Sequence, residues 1–175
     1  MVSLNELLPK DTPPTPETGY ALAAPVYLKL GYTPIPLYGK ITPTTGLTGG
    51  SATVTPERIK GLREQFPQAN TGIKHDRTCA IDVDDYDGKT GHSELLELES
   101  QLGTLPDAPY TTSRGAGNAS RQMWFRRESN EPMNGDPTAN IEVIWSGYRC
   151  TMVAPSVHPE TGEQVAWYDP QTHEE

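Results

Sequence analysis

The chain is short of cysteine, of cations and of long apolar runs, and each shortage removes a class of protein. Only two cysteines, Cys79 and Cys150, occur in 175 residues, far apart and in apolar surroundings. Without a Cys-x-x-Cys pair they cannot build a structural zinc cluster unaided, so both read as buried thiols. No segment approaches the roughly 20 apolar residues that cross a bilayer. The residues from Met1 to Glu6 lack the charged and apolar regions of a signal peptide. A cytoplasmic protein without a membrane partner is the expectation. Lys and Arg number 14 against 23 Asp and Glu, for a net charge of −9. That balance argues against tight, sequence-independent DNA binding by the surface as a whole, because phosphate contacts dominate such affinity. A local basic groove remains open: Arg114, Arg121, Arg126, Arg127 and Arg149 all fall in the second half.

What the chain does have is loops and short periodic segments. With 17 prolines, 16 glycines and 34% apolar residues, it has length for one core with many connections. Residues 1–19 are rich in Pro, Thr and Glu and read as an extended or poorly ordered lead-in; 20–175 read as a single domain. Thr15 or Thr18 is a candidate cap for a helix running to about Leu30 and ended by Gly31, with Pro25 expected to kink or begin it. Residues 32–37 read as a strand, broken by Pro34 and Pro36 and so placed at an edge. Thr55-Pro56 opens a helix that stops before Pro67, and 70–74 read as a short strand. The spacing of Leu95, Leu98 and Leu102 predicts a helix over 94–102 with these three on one face and Gly103 closing it. Residues 110–113 and 121–127 read as a hairpin, 141–145 and 148–153 as a second pair around Ser146-Gly147, and 165–168 as a last strand. Helices early and strands late give an α+β class.

The stretch 78–84 carries the most chemistry. Asp82 and Asp84 are two apart in a strand pattern, so they project from one face while Ile81 and Val83 anchor the other. Two anions so close repel unless neutralised, and a hard divalent cation with oxygen ligands does this well. The bland alternative is a strand ending in the Asp85-Tyr86-Asp87-Gly88 turn. Glu142, alone among Ile and Val in 141–145, either faces solvent from an edge or faces a cation. Beside an Asp-x-Asp it would complete a cluster able to hold two ions about 3.5–4 Å apart. Other motifs fail. Gly88-Lys89-Thr90 ends like a phosphate-binding loop, but Val83 stands where the upstream glycine belongs. Val83 also occupies the first ligand position of the calcium-loop match made by Asp85, Asp87, Gly88 and Glu94. No Gly-x-Ser-x-Gly is present.

Taken in order, these elements resemble the bifunctional primase–polymerase domain of phage and plasmid replication proteins, a branch of the archaeo-eukaryotic primase superfamily. The matching segments are Gly39-Lys40 with Pro43, Gly46-Leu47-Thr48-Gly49, Ile81 to Asp84 with Asp87-Gly88, Thr112-Ser113-Arg114-Gly115, Trp124-Phe125, Ile141-Glu142-Val143 and Pro155-Ser156-Val157-His158-Pro159. The resemblance runs from about residue 20 to the end. It implies a mainly antiparallel, RRM-like sheet with flanking helices and an N-terminal αβ unit. It implies a DNA primase and/or DNA polymerase, a nucleotidyltransferase that releases pyrophosphate. Asp82, Asp84 and Glu142 would be catalytic and hold two Mg²⁺ or Mn²⁺ ions. Ser113, Arg114, Gln122, Arg149, Ser156 and His158 would bind the nucleotide, with Lys40 toward primer or template. The partners implied are a single-stranded DNA template, an NTP or dNTP, and a helicase domain or protein. Many relatives carry histidine where Gln122 stands; glutamine can hydrogen-bond a phosphate but brings no charge. A catalytically idle nucleotide- or DNA-binding module and a metal-dependent nuclease are the alternative readings.

Overall fold

A computed structural model describes residues 19–129 and 131–175. Its elements run α1 (Tyr20–Lys29), β1 (Thr33–Leu37), α2 (Pro56–Gln65), β2 (Asn70–Lys74), β3 (Thr78–Val83), α3 (Gly91–Leu102), β4 (Tyr110–Thr112), β5 (Arg121–Arg126), β6 (Ile141–Ile144), β7 (Cys150–Val153) and β8 (Ala166–Tyr168). They form an α+β fold of two antiparallel sheets, β1-β2-β7 and β6-β3-β5-β4-β8. The expected lead-in and its caps, Thr15 and Thr18, lie outside the described residues; the N-cap of α1 is Gly19. Among the described residues no helix is long and apolar enough to cross a membrane.

Prolines shape the N-terminal unit. Pro25 sits within α1 rather than starting it. Lacking an N–H, it leaves the Ala21 carbonyl one turn earlier without its helical donor. Arg63 of α2 fills that vacancy, its Nε donating to Ala21 O at 2.9 Å, so the interruption becomes a joint between helices. Pro34 and Pro36 lie on β1, which among the described residues pairs with β2 alone. Spaced by two, they withdraw donors from one side of the strand alone, the open edge. Thr55 caps α2 as the sequence suggests, accepting from Arg58 N at 3.2 Å.

One expected pairing does not form. β6 and β7 are not a hairpin: β6 pairs with β3 and β7 with β2, in different sheets. Residues 145–149 cross between the sheets instead. The turn is closed by Tyr148 N donating to Trp145 O at 2.9 Å. Gly147 packs so close to the indole that a Cβ there would lie 2.2 Å from Trp145. The N-terminal αβ unit is thus completed by a strand from the far end of the chain.

The larger sheet buries both faces. One lies on α3 through Val83, Leu95, Tyr110, Met123, Ile141 and Tyr168. Leu98 packs at its margin, but Leu102, expected on the same stripe, is 81% exposed in the last turn. The other face meets α1 and the smaller sheet through Ala80, Trp124, Ile144 and Trp167 against Ala23, Tyr27, Ile73 and Val153. Cys79 is buried as expected, whereas Cys150 is only half-buried.

His75 is fully buried in this seam. Its ring nitrogens meet Thr78 Oγ1 at 2.9 Å and Thr151 Oγ1 at 2.6 Å, and its ring lies 4.8 Å from Trp124. Burial pushes its pKa down to about 3; Asp76 opposes, while Arg127 and Lys74 add to the drop. In the unfolded chain the same group titrates near 6.5. Below that pH the unfolded state takes up a proton that the folded state refuses, so stability falls as pH drops toward 3, by up to about 1.4 kcal/mol per unit. His75→Gln is expected to lose part of this acid sensitivity. Urea midpoints at pH 7 and pH 5 for both proteins measure it; equal acid losses would refute the assignment.

Candidate active site

Two steps along three neighbouring strands turn core into polar floor. Ala80, Trp124 and Ile144 lie in the seam between the sheets. Two residues on, facing the same way, stand Asp82, Gln122 and Glu142. They are in direct register: Asp82 opposes Gln122 on β5 and Glu142 on β6. Asp84 follows at the end of β3, its N–H donating to Asn140 O at 2.9 Å. The Glu142 carboxylate is therefore on the aspartates' side of the sheet, on the outermost strand β6, and 31% exposed.

This row floors a cleft of about 590 Å³ where the two sheets diverge, lined also by Lys40, Ser113, Arg114, Arg149 and His158. Five Lys and Arg line it against four Asp and Glu, so the cleft is close to neutral in a chain of net charge −9 and repels an anion less than the rest of the surface does. Of the catalytic and nucleotide-binding residues that the resemblance implies, Ser156 stands apart. It is 1% exposed, and its hydroxyl accepts from Thr71 N at 2.8 Å while donating to Thr71 O at 3.1 Å. It staples the 154–157 segment to β2 and does not reach the cleft.

The floor is organised by a chain of donors. Trp124 Nε1, which can only donate, bonds Thr111 Oγ1 at 3.1 Å. The Thr111 hydroxyl then donates to Gln122 Oε1 at 3.3 Å. This fixes the amide with its nitrogen toward Asp82, where Nε2 donates to Oδ2 at 3.0 Å. Gln122 is thus a hydrogen-bond donor to a carboxylate. Burial pushes the Asp82 carboxyl up to about 6, opposed by the Gln122 bond and assisted by the charges of Asp84 and Glu142. Glu142 is raised too, chiefly by burial, with Arg149 opposing.

Arg149 Nη1 bonds both Glu142 oxygens at 2.9 Å, and Lys89 bonds Asp84. As placed, no group of three His, Cys, Asp or Glu side chains among the described residues is close enough to share a metal ion. The donors are nonetheless hard carboxylate oxygens converging from adjacent strands into one cleft, the type a divalent oxygen-seeking ion takes. The donor type fits such an ion, while Arg149 and Lys89 occupy two of the three carboxylates.

Sequence reading missed three lining groups, Tyr86, Lys89 and Glu160; of the five arginines named for a basic groove, Arg114, Arg121 and Arg149 line the cleft and Arg126 and Arg127 do not. The Tyr86 ring carries the Arg114 guanidinium at 3.9 Å and the Lys89 ammonium at 4.6 Å. A turn through Asp87 (φ 49°) and Gly88 (φ 85°) folds Lys89 back over it. Asp in the left-handed region beside Gly was the available signal. Glu160 pairs with Lys40 at 2.8 Å across the cleft mouth. His158 lies next to them, its pKa lowered by burial and by Lys40, with Glu160 opposing.

No curated protein and no solved structure matches the chain. A family description does, over residues 24–175, which takes in both sheets and every lining residue named above; by that match the chain belongs to the bifunctional DNA primase/polymerase N-terminal (Prim-Pol) family.

Proposed function

We propose that this domain is a metal-dependent nucleotidyltransferase that starts or extends a strand on a single-stranded DNA template, in the replication of a phage or plasmid. The observation that carries the reading is the polar row Asp82, Gln122 and Glu142, with Asp84 beside it, at the foot of a cation-rimmed cleft. Asp82, Asp84 and Glu142 would hold the ions. When bound, a pair of Mg²⁺ or Mn²⁺ ions activates the primer 3′-hydroxyl and neutralises charge on the departing pyrophosphate.

The remaining work falls to this chain's own groups. Arg114, held flat by Tyr86, presents a planar fork suited to a phosphate. His158, its pKa lowered, is neutral at pH 7 and offers a hydrogen bond rather than a charge. Ser113, whose hydroxyl accepts from Thr161 Oγ1 at 3.2 Å, keeps its own proton to donate. Lys40, exposed at the tip between Tyr38 and Ile41, is placed for primer or template phosphate. Gln122 keeps Asp82 turned into the floor.

A second reading, an idle nucleotide- or DNA-binding module, draws on Gln122, which brings an amide and no charge to the floor. One assay separates them: primed and unprimed single-stranded templates, ribo- and deoxyribonucleotides, Mg²⁺ or Mn²⁺. Incorporation with pyrophosphate release is expected. Nucleotide binding, seen as a metal-dependent rise in melting temperature, without incorporation on any template would assign the idle module. Nucleotide release from labelled DNA would assign a nuclease.

A further inference from the structure

Two cations sit where metal ions would sit. Lys89 bonds Asp84, and Arg149 forks onto Glu142. Asp82, the third carboxylate, has only an amide donor from Gln122. Both pairs are partly open to solvent, with Lys89 39% and Arg149 57% exposed. Pairs this exposed are weak and easily broken. Neither cation is held only by its carboxylate. Lys89 also donates to Tyr86 Oη at 3.2 Å and rests on that ring. Arg149 lies 4.9 Å over the Tyr148 ring. Each can leave its carboxylate and stay in the cleft, anchored by its aromatic neighbour. Both line the same concavity as Arg114, where a triphosphate would supply new oxygens.

We propose that Lys89 and Arg149 are exchangeable counterions, which neutralise Asp84 and Glu142 in the empty site and pass to the triphosphate when metal ions take the carboxylates. The proposal rests on the nucleotidyltransferase reading and goes beyond it by giving Lys89 a role. It has a thermodynamic consequence. Metal alone must displace two cations that then lack an anion, and triphosphate alone must draw them from their carboxylates. Together the two ligands satisfy every group, so each raises the other's affinity, and by linkage the factor is the same in both directions.

The test is Lys89→Met, which keeps the stem's length and loses the charge, with Arg149→Met as the second variant. Mn²⁺ binding without nucleotide is followed by the spin-resonance signal of the free ion. Binding of ATP and dATP at saturating Mn²⁺, without template, is followed by calorimetry. The expected changes have opposite signs. Each variant binds Mn²⁺ alone about two- to fivefold more tightly, the size set by a partly exposed ion pair, and binds the triphosphate at least about tenfold more weakly, because a charge-assisted phosphate contact is lost. Wild-type protein that binds both ligands, with variants that weaken both or change neither, would overturn the exchange and leave the transferase reading standing. Wild-type protein that binds neither Mn²⁺ nor triphosphate would overturn both. Unliganded melting temperatures close to wild type are expected for these exposed positions and exclude misfolding as the cause.

Discussion

Asp82→Asn will abolish strand synthesis and, in metal-free buffer, make the protein more stable. The two halves have one cause. Asp82 is a carboxylate held beside two others on a half-buried floor, and its pKa is raised to about 6. The unfolded chain titrates the same group near 3.9. A carboxyl with a raised folded pKa disfavours folding wherever it is ionised, so at pH 7 Asp82 opposes the fold and its removal relieves that opposition. The relief shrinks as pH falls from about 6 and is gone by about pH 3, below both values, where the wild-type group is protonated in both states. Asparagine keeps the shape and can still accept from Gln122 through its carbonyl oxygen. It cannot supply the charge that ions require, so incorporation should drop about 1,000-fold or more, a loss of roughly 4 kcal/mol of transition-state stabilisation. The melting temperature of metal-free Asp82→Asn should exceed wild type at pH 7 and converge on it at about pH 3, and the rise given by Mn²⁺ with nucleotide should vanish. A residue that destabilises the fold and is needed for activity is the mark of a functional site. Incorporation within tenfold of wild type, or a variant less stable than wild type at pH 7, would sink the assignment.

How much of this site the sequence discloses depends on how local each feature is. The Asp82/Asp84 pair is a spacing of two within one strand, and the strand period places both on one face without any tertiary knowledge. Glu142 is legible because a charge amid Ile and Val needs a reason. That its reason lies opposite Asp82, in register, is a property of strand pairing that alternation alone leaves open. The same gap explains the mistaken hairpin over 141–153: two apolar strands around Ser146-Gly147 look like neighbours, yet sheet membership is settled by β3 and β2, each about 60 to 80 residues away in sequence. Pro34 and Pro36 disclose an edge because a missing donor can be tolerated in few other places. Ser156 misleads for the opposite reason. A hydroxyl two residues before a histidine suits a phosphate, but the irregular segment after β7 buries Ser156 against Thr71 while His158 lines the cleft. Lys89 is hidden by its neighbours: Gly88-Lys89-Thr90 invites comparison with a phosphate loop, and what brings the lysine to Asp84 is the left-handed Asp87-Gly88 turn.

Two glycines in helices make the strongest structural prediction, because the same substitution should act with opposite sign. Gly61 lies in α2 with open space around it: nothing stands within 4 Å of where a Cβ would go. Gly61→Ala removes backbone freedom from the unfolded chain and should stabilise by about 0.5–1 kcal/mol. Gly91 opens α3, where alanine ought to help as well. There, however, a Cβ would sit 2.5 Å from Asp84 O, 2.8 Å from Asn140 O and 2.9 Å from Asp84 N. All three contacts are backbone, so no side chain can swing away. The helix start is pressed into the junction of β3 and β6, where Gly91 N donates to Asp84 O and Asp84 N to Asn140 O, each at 2.9 Å. Gly91→Ala must prise these apart and should destabilise by about 3 kcal/mol, the upper range of overpacking, or roughly 6–12 °C in melting temperature for a domain of this size. The damage falls on the residue that carries a site carboxylate. Asp84 shifts with its backbone, and a displacement near 1 Å can lower the rate about 100-fold even in molecules that remain folded. Two readouts check it: calorimetry gives the sign of the stability change, and single-turnover incorporation, run where both variants are folded, gives the rate. If Gly91→Ala were as stable and as active as Gly61→Ala, the close packing of α3 against β3 and β6 would not hold the site in place.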